Sequence, residues 1–155
     1  MPEPARARAL AYLRAHHVMT LATAGPRGPW AAAVFYASEG FELVFLSSPA
    51  TRHGSDIGAA AQVAAAIHED YRGWPEIQGV QLEGHAARLD GAPRDAARAC
   101  FAAKFPFVLE QAGAAPEIVR ALERVAWYRL VPSRLYFIDN SLGFGRREEI
   151  AIDRA

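Results

Sequence analysis

Hydrophobic and polar positions along this chain change period several times, and each change marks an element. From Pro4 to His17 the apolar face recurs at three and four residues through Leu10, Leu13 and His17, while Arg6, Arg8 and Arg14 fall mostly elsewhere around the turn. That spacing predicts an amphipathic helix. Strand-like segments follow: Val18 to Ala24, Trp30 to Ser38 and Phe41 to Ser48, separated by Gly25-Pro26-Arg27-Gly28-Pro29 and by Glu39-Gly40. The Glu39-Gly40 connection suits a tight hairpin, flanked by the branched and aromatic residues Val34, Phe35, Tyr36, Phe41, Val44 and Phe45 that strands favour. The three segments read as an antiparallel meander.

Thr51 can cap a short helix from Arg52 to about Ala60. Gln62 to His68 reads as a buried strand of small residues, although Ala64-Ala65-Ala66 also suits a helix. Glu69 to Glu76, with Gly73 and Pro75, is a loop. From Gln78 to Leu89 the alternation is regular, with Val80, Leu82, Gly84 and Ala86 facing one way and Gln81, Glu83 and His85 the other. Pro93 introduces a helix from Arg94 to Phe105 that Pro106 ends, and Pro116 starts a short one to about Glu123. Strands close the chain: Val125 to Val131, a break at Pro132, Leu135 to Asp139, a Gly-containing bend, and Arg147 to Ile152. About six antiparallel strands with peripheral helices predict a small β-barrel of the α+β class. Helices do not alternate with strands as a doubly wound sheet requires, and neither GxGxxG nor GxxxxGK[ST] is present.

Composition narrows the function classes. The 155 residues, 52% hydrophobic and 22% charged, suffice for one domain spanning 1–155 with its own core and exclude a disordered tail protein. Seventeen basic residues balance seventeen acidic ones, and the longest basic runs, Arg6/Arg8 and Arg146-Arg147, do not make a phosphate-neutralising patch, so no nucleic-acid partner is expected. Sixteen of the seventeen are Arg, leaving Lys104 as the one Lys. Cys100 is alone, which excludes an internal disulfide and fits a reducing cytoplasm. No apolar run is long enough to span a membrane. The arginines ahead of Val18-Met19-Thr20-Leu21 and Ala22-Thr23-Ala24 imitate a secretion signal, but His16 and His17 interrupt it and the segment is read as part of the fold.

Chemistry concentrates in Leu43-Val44-Phe45-Leu46-Ser47-Ser48-Pro49-Ala50-Thr51-Arg52-His53-Gly54. A strand ends in hydroxyls, the chain turns at a proline, and a helix begins with Thr51, Arg52 and His53. Helix-start amides, a capping hydroxyl, a guanidinium and a second potential cation together suit a terminal phosphate. The same residues also make an ordinary helix cap with two solvated side chains. Elsewhere the histidines lack zinc-ligand spacing and the serines lack a GxSxG elbow. Cys100 reads as an inert buried side chain, and Trp30 and Trp127 read as core.

The order Trp30-Ala31-Ala32-Ala33-Val34-Phe35-Tyr36, hairpin, Ser47-Ser48, Thr51-Arg52-His53 resembles the pyridoxamine 5'-phosphate oxidase-like FMN-binding split barrels. Ile77-Gln78-Gly79-Val80-Gln81-Leu82-Glu83-Gly84 is similar to the next barrel strand. Phe105-Pro106 and Asp139-Asn140-Ser141-Leu142-Gly143-Phe144-Gly145 resemble the YhbP-like branch. The resemblance implies an antiparallel split barrel and a homodimer with FMN in two interface grooves. It places Thr51 and Arg52 at the FMN phosphate, with His53 where the family has Lys and Ala32 where the oxidase has a second-strand Arg. It also implies that the backbone of Ala32, Ala33, Val34 and Phe35 meets the flavin edge and that Ser47 bonds the ribityl chain. Asn140 and Phe144 line the groove from the partner, or else their bend only turns the last strand back onto the barrel. Trp74 covers the ligand or packs in the interface.

The oxidase's C-terminal substrate-binding Arg and His have no counterpart, so oxidation of pyridoxamine phosphate is not expected. The implied function is an FMN-dependent oxidoreductase of a small molecule, with an electron donor such as NAD(P)H. The alternative is a non-catalytic module that holds FMN, haem or another conjugated anion for storage, sensing or delivery. With His53 at the phosphate, FMN binding is expected to weaken from about pH 6 to 8, where an ordinary imidazole titrates.

Overall fold

A computed structural model describes residues 3–109 and 113–152. Helix α1 (Ala5–Ala15) leads into β1 (Val18–Gly25) and β2 (Gly28–Phe35), and then into β3 (Ala37–Glu39) and β4 (Glu42–Ser47). Next come α2 (Arg52–Ile57), β5 (Ala60–His68), β6 (Gln78–Leu89), α3 (Gly91–Lys104), α4 (Pro116–Glu123), β7 (Ala126–Asp139) and β8 (Arg147–Glu149). The strands form one antiparallel sheet in the order β2-β1-β5-β6-β7-β4-β3, with β8 on β7. This curled antiparallel sheet with peripheral helices is the α+β split barrel that the pattern and the resemblance suggest. The segment that imitates a secretion signal runs from α1 into β1, where Met19 and Leu21 are fully buried.

The expected strand Trp30 to Ser38 divides in two at Tyr36. β2 pairs with β1 at one end of the sheet, whereas β3 pairs with β4 at the other. One residue therefore joins both ends of the curl. Its backbone N–H donates to the His17 carbonyl at 3.0 Å and its hydroxyl to the Leu13 carbonyl at 2.8 Å. Tyr36 and Ala37 are both buried, and this break in the alternation marks the corner. Lys104 reaches the same corner from α3, 4.4 Å from the Tyr36 ring centroid and hydrogen-bonded to the carbonyl of His16. Burial lowers its pKa, and carbonyls past the end of α1 take the place of a carboxylate.

Other boundaries shift for equally local reasons. α1 ends at Ala15, so His16 and His17 are extended rather than helical. α2 stops at Ile57 instead of near Ala60, because Gly58 takes φ 55° and turns the chain into β5. The Ala64-Ala65-Ala66 stretch is strand, paired with β1 on one side and β6 on the other. α3 begins at Gly91, ahead of Pro93, and ends at Lys104 rather than Phe105. The final strand keeps only Arg147–Glu149.

Pro132 does not break the last long strand. It pairs with Gly84 at a β-bulge where the β6–β7 register shifts, so two expected strands are one bent β7. The Leu43-Val44-Phe45 run is apolar without alternation because both faces of β4 are covered. The barrel interior takes Leu43 and Phe45, the latter stacked 5.1 Å from Tyr128. α3 covers the other face, packing Ala97, Phe101 and Ala102 near Val44 and Trp127.

The bulge depends on a missing side chain. A Cβ at Gly84 would overlap the Val131 carbonyl oxygen and lie 2.8 Å from Pro132 Cα, both backbone atoms that cannot rotate away. Gly84→Ala is expected to cost about 2 kcal/mol, read as a lower urea midpoint at unchanged slope.

Candidate functional site

The Ser48-Pro49-Ala50-Thr51 turn delivers α2 to the end of β4. The Thr51 hydroxyl accepts from the Gly54 N–H at 3.0 Å and donates to the Ser48 carbonyl at 2.8 Å, so Thr51 caps the helix as its residue type suggests. Gly54 is needed here: a Cβ would sit 2.8 Å from Thr51 Oγ1 and closer still to the Ser48 carbonyl oxygen. The first turn of α2 is thereby locked onto the strand end.

Two further contacts dock α2 on the β1–β2 hairpin. Thr23, almost fully buried, donates to Asp56 Oδ2 at 2.8 Å. Arg52 donates from Nη2 to the Arg27 carbonyl at 3.1 Å, and its guanidinium carbon lies 4.3 Å from the Trp30 ring centroid. Arg52 Nε is buried and has no hydrogen-bond partner. A permanent cation held over an indole ring, with donors beyond the one given to Arg27, is the kind of group that takes an anionic oxygen. Trp30 is thus not core: it is 44% exposed and serves as the floor beneath Arg52.

Around the corner from Arg52 lies a pocket of about 230 Å³. The outermost strand β2 supplies Ala33, Val34 and Phe35, β4 supplies Ser47, and α2 supplies His53. Phe101 of α3, Phe107 and Leu122 complete an apolar wall. The pocket therefore gathers five of the expected site residues from three separate elements. Ala32 does not line it; that side chain packs against the barrel core beside Val34.

Ser47 Oγ and His53 Nε2 are 2.6 Å apart, so the two polar side chains that line the pocket among the described residues are bonded to each other. Burial pushes the His53 pKa below the usual imidazole value, outweighing the negative charge of Asp56 that raises it. His53 is consequently neutral at neutral pH and is not the second cation expected from its position. Fixed positive charge at the helix start is left to Arg52.

Asn140 and Phe144 lie in a second neighbourhood with Trp74. Asn140 is buried; its Nδ2 donates to the Trp74 carbonyl at 2.8 Å, and its Oδ1 accepts from the Gly145 N–H at 3.1 Å. The rings of Trp74 and Phe144 meet edge to face at 5.1 Å, yet Phe144 is 80% exposed. These residues do not line the pocket that holds Ser47 and His53. Cys100 is half-buried, its thiol pushed up by burial, beside the Ser38 carbonyl.

Sequence reasoning missed Thr23, Asp56 and Trp30 as the residues that seat α2. Gly25 belongs to the same contact, since a Cβ there would overlap the Asp56 carboxylate, a proximity that only the fold creates.

A family model described as pyridoxamine 5'-phosphate oxidase matches residues 5–139. The chain belongs to that family. Within the family its relatives are UPF0306 proteins, which places it in the YhbP-like branch. One from Photorhabdus laumondii is 32% identical over 138 residues, covering 88% of each chain. YhbP of Salmonella paratyphi A is 30% identical over 138 residues, covering 88% of this chain and 86% of its own. Among solved structures, a heme binding protein from Mycobacterium smegmatis superposes with a TM-score of 0.73 at 24% identity. That match covers 97% of this chain and 59% of the other, so the family member corresponds to part of that protein. A FAD-binding protein from Mesorhizobium loti gives 0.65 at 17% identity, covering 94% and 93%. These two likenesses concern the fold.

The buried imidazole makes a pH prediction whose sign follows from linkage. With the folded pKa of His53 below the unfolded value of about 6.5, its contribution to stability is complete above that pH and is lost as the pH falls toward the folded pKa. Urea midpoints between about pH 7.5 and 5 are expected to fall more for the native chain than for His53→Gln. Equal slopes would remove His53 as a titrating group in that window.

Proposed function

We propose that this protein binds FMN, with the ring edge against Ala33, Val34 and Phe35 and the phosphate at Arg52, and that it acts as an oxidoreductase on a small molecule. The observation that carries this reading is Arg52: its guanidinium lies over the Trp30 ring and donates to the Arg27 carbonyl, so a permanent cation is held in place at the start of α2 beside the pocket. A guanidinium carries five N–H donors, and a phosphate is a strong acceptor for those turned away from the protein. The neighbouring pocket, with apolar walls and one polar corner, suits a conjugated ring presented edge-on to β2. Family membership supports the same choice, and the FAD-binding neighbour shares the fold.

When bound, the flavin supplies the electron chemistry itself. The chain's contribution is to orient the ring, hold the phosphate and exclude water through Phe35, Phe101 and Phe107. Ser47 and His53 present a neutral hydrogen-bonding corner suited to the ring edge or to the ribityl hydroxyls. The pocket is too small for a complete cofactor and is open to one side, which supports a homodimer in which Asn140, Phe144 and Trp74 of one copy cover the groove of the other. One Cys and balanced charge fit a cytoplasmic setting.

One observation favours a non-catalytic carrier instead. Ala32 offers no cation on the second strand and His53 is neutral, so a single guanidinium holds the phosphate and the ligand could be released easily. Turnover separates the two: bound flavin that NAD(P)H reduces and a defined acceptor reoxidises marks the enzyme, whereas flavin inert to such donors marks the carrier.

Protein purified without added ligand is expected to be yellow. Arg52→Ala should weaken FMN binding about 10- to 100-fold, the equivalent of one charge-assisted hydrogen bond. Stoichiometric FMN in that variant would overturn the phosphate assignment. Sedimentation is expected to show a dimer, and a monomer that still holds FMN tightly would remove the partner from the groove.

A further inference from the structure

We propose that the pocket beside β2 continues into a carboxylate subsite at Arg94 and Arg98, so that the molecule this protein acts on is a small apolar acid. A second pocket, of about 200 Å³, adjoins the first and shares two of its lining residues, Val108 and Leu122. The floors are joined as well: Phe101 of the first pocket and Trp127 of the second are both buried and meet edge to face at 5.4 Å. Helix α3 sets the direction. Arg94, Arg98 and Phe101 are spaced by four and three residues, which puts them on one stripe of the helix. At about 1.5 Å of rise per residue, the two arginines stand about 4.5 Å and about 10.5 Å along the axis from Phe101. A ligand that touches both pockets therefore has the length of a short arylalkyl or acyl chain.

Charge names the far end of that ligand. Among the described residues, the charged side chains of the second pocket are Arg94, Arg98 and Glu123. Arg94 reaches only Asp95, its neighbour on α3, at 3.9 Å, and neither Arg98 nor Glu123 has an ion-pair partner. Two guanidiniums against one carboxylate leave a single positive charge. A monoanion balances it, and the guanidinium fork matches a carboxylate. The middle of the groove is apolar, with Val108, Leu122, Val125 and Trp127. α4 has no buried residue although Ile118, Val119 and Leu122 are apolar, so an apolar body lying against Leu122 gives that helix something to pack on. The assignment of this acid as substrate rests on the flavin reading above: the flavin edge takes the Ser47–His53 end, and Arg94 and Arg98 hold the acid by its other end.

The test uses 4-phenylbutyrate and its neutral counterpart 4-phenylbutanol as probes on the full chain, with and without FMN, followed by amide chemical shifts. The native chain is expected to bind the acid about tenfold more tightly than the alcohol, the scale of two exposed charge pairs, and to shift amides along α3 from Arg94 to Phe101. The double variant Arg94→Gln/Arg98→Gln, whose substitutions keep helix propensity, should bind acid and alcohol alike, with the affinity for the alcohol unchanged. On the FMN-loaded protein the acid should shift the visible flavin spectrum. Equal binding of acid and alcohol by the native chain, an acid preference that survives in the double variant, or a flavin spectrum indifferent to bound acid would overturn the proposal. A chain that keeps the arginine-dependent preference but takes up no FMN would leave the subsite standing and count against the flavin reading alone, because the preference is measured without cofactor.

Discussion

The structure depends on the closure at Tyr36. An antiparallel sheet that curls must bring its ends together, and here β2 and β3 belong to opposite ends while being separated by one residue. That residue is fully buried, with its backbone N–H bonded to His17, its hydroxyl bonded to the end of α1, and the ammonium of Lys104 over its ring. The Tyr36 N–H and hydroxyl and the Lys104 ammonium all donate to backbone carbonyls there. Desolvation raises the Tyr36 pKa and lowers that of Lys104, which keeps the phenol a hydrogen-bond donor. The closure leaves β2 paired on one side only and brings it past the end of β4. The pocket between Ala33–Phe35 and Ser47–His53 follows from that geometry.

Charge is used sparingly. The chain is neutral overall, and its buried Asp139 is paired with Arg8 and accepts from Ser141. Asp56 is spent on Thr23 and the packing of α2, not on the pocket. With His53 neutral, Arg52 supplies the fixed positive charge at the start of α2. A monoanionic or dianionic group of small size fits such a site; an extended polyanion does not. The Asn140 neighbourhood works differently, since the Asn140 amide is bonded to nearby backbone groups and the rings of Trp74 and Phe144 are exposed.

Much of the fold was legible in the pattern. The alternation of Val80, Leu82, Gly84 and Ala86 with Gln81, Glu83 and His85 matches the observed burial of β6 residue by residue. Thr51 as a cap and a hairpin turn at Gly40 were equally readable, because caps and tight turns are local, although the loop is Gly40-Phe41 and Glu39 ends β3. The candidate site was legible as residues and not as an arrangement. Ser47, His53 and Ala33–Phe35 were all named, but nothing local says that Ser47 and His53 bond each other, that Ala32 turns to the core, or that Trp30 lies under Arg52.

What the sequence alone determined is whatever depends on neighbours a few residues away: element types, the helix cap, the hairpin, the amphipathic faces, and the candidate cations. Tertiary structure decided the rest, because it depends on groups brought together across the chain. The corner at Tyr36 exists because β2 and β3 have partners at opposite ends of the sheet. The bend at Pro132 exists because Gly84 opposes it, which turned an apparent strand break into a bulge. The charge of His53 was undecided until burial was known, since the same imidazole is a cation in water and a neutral hydrogen-bonding group in the pocket.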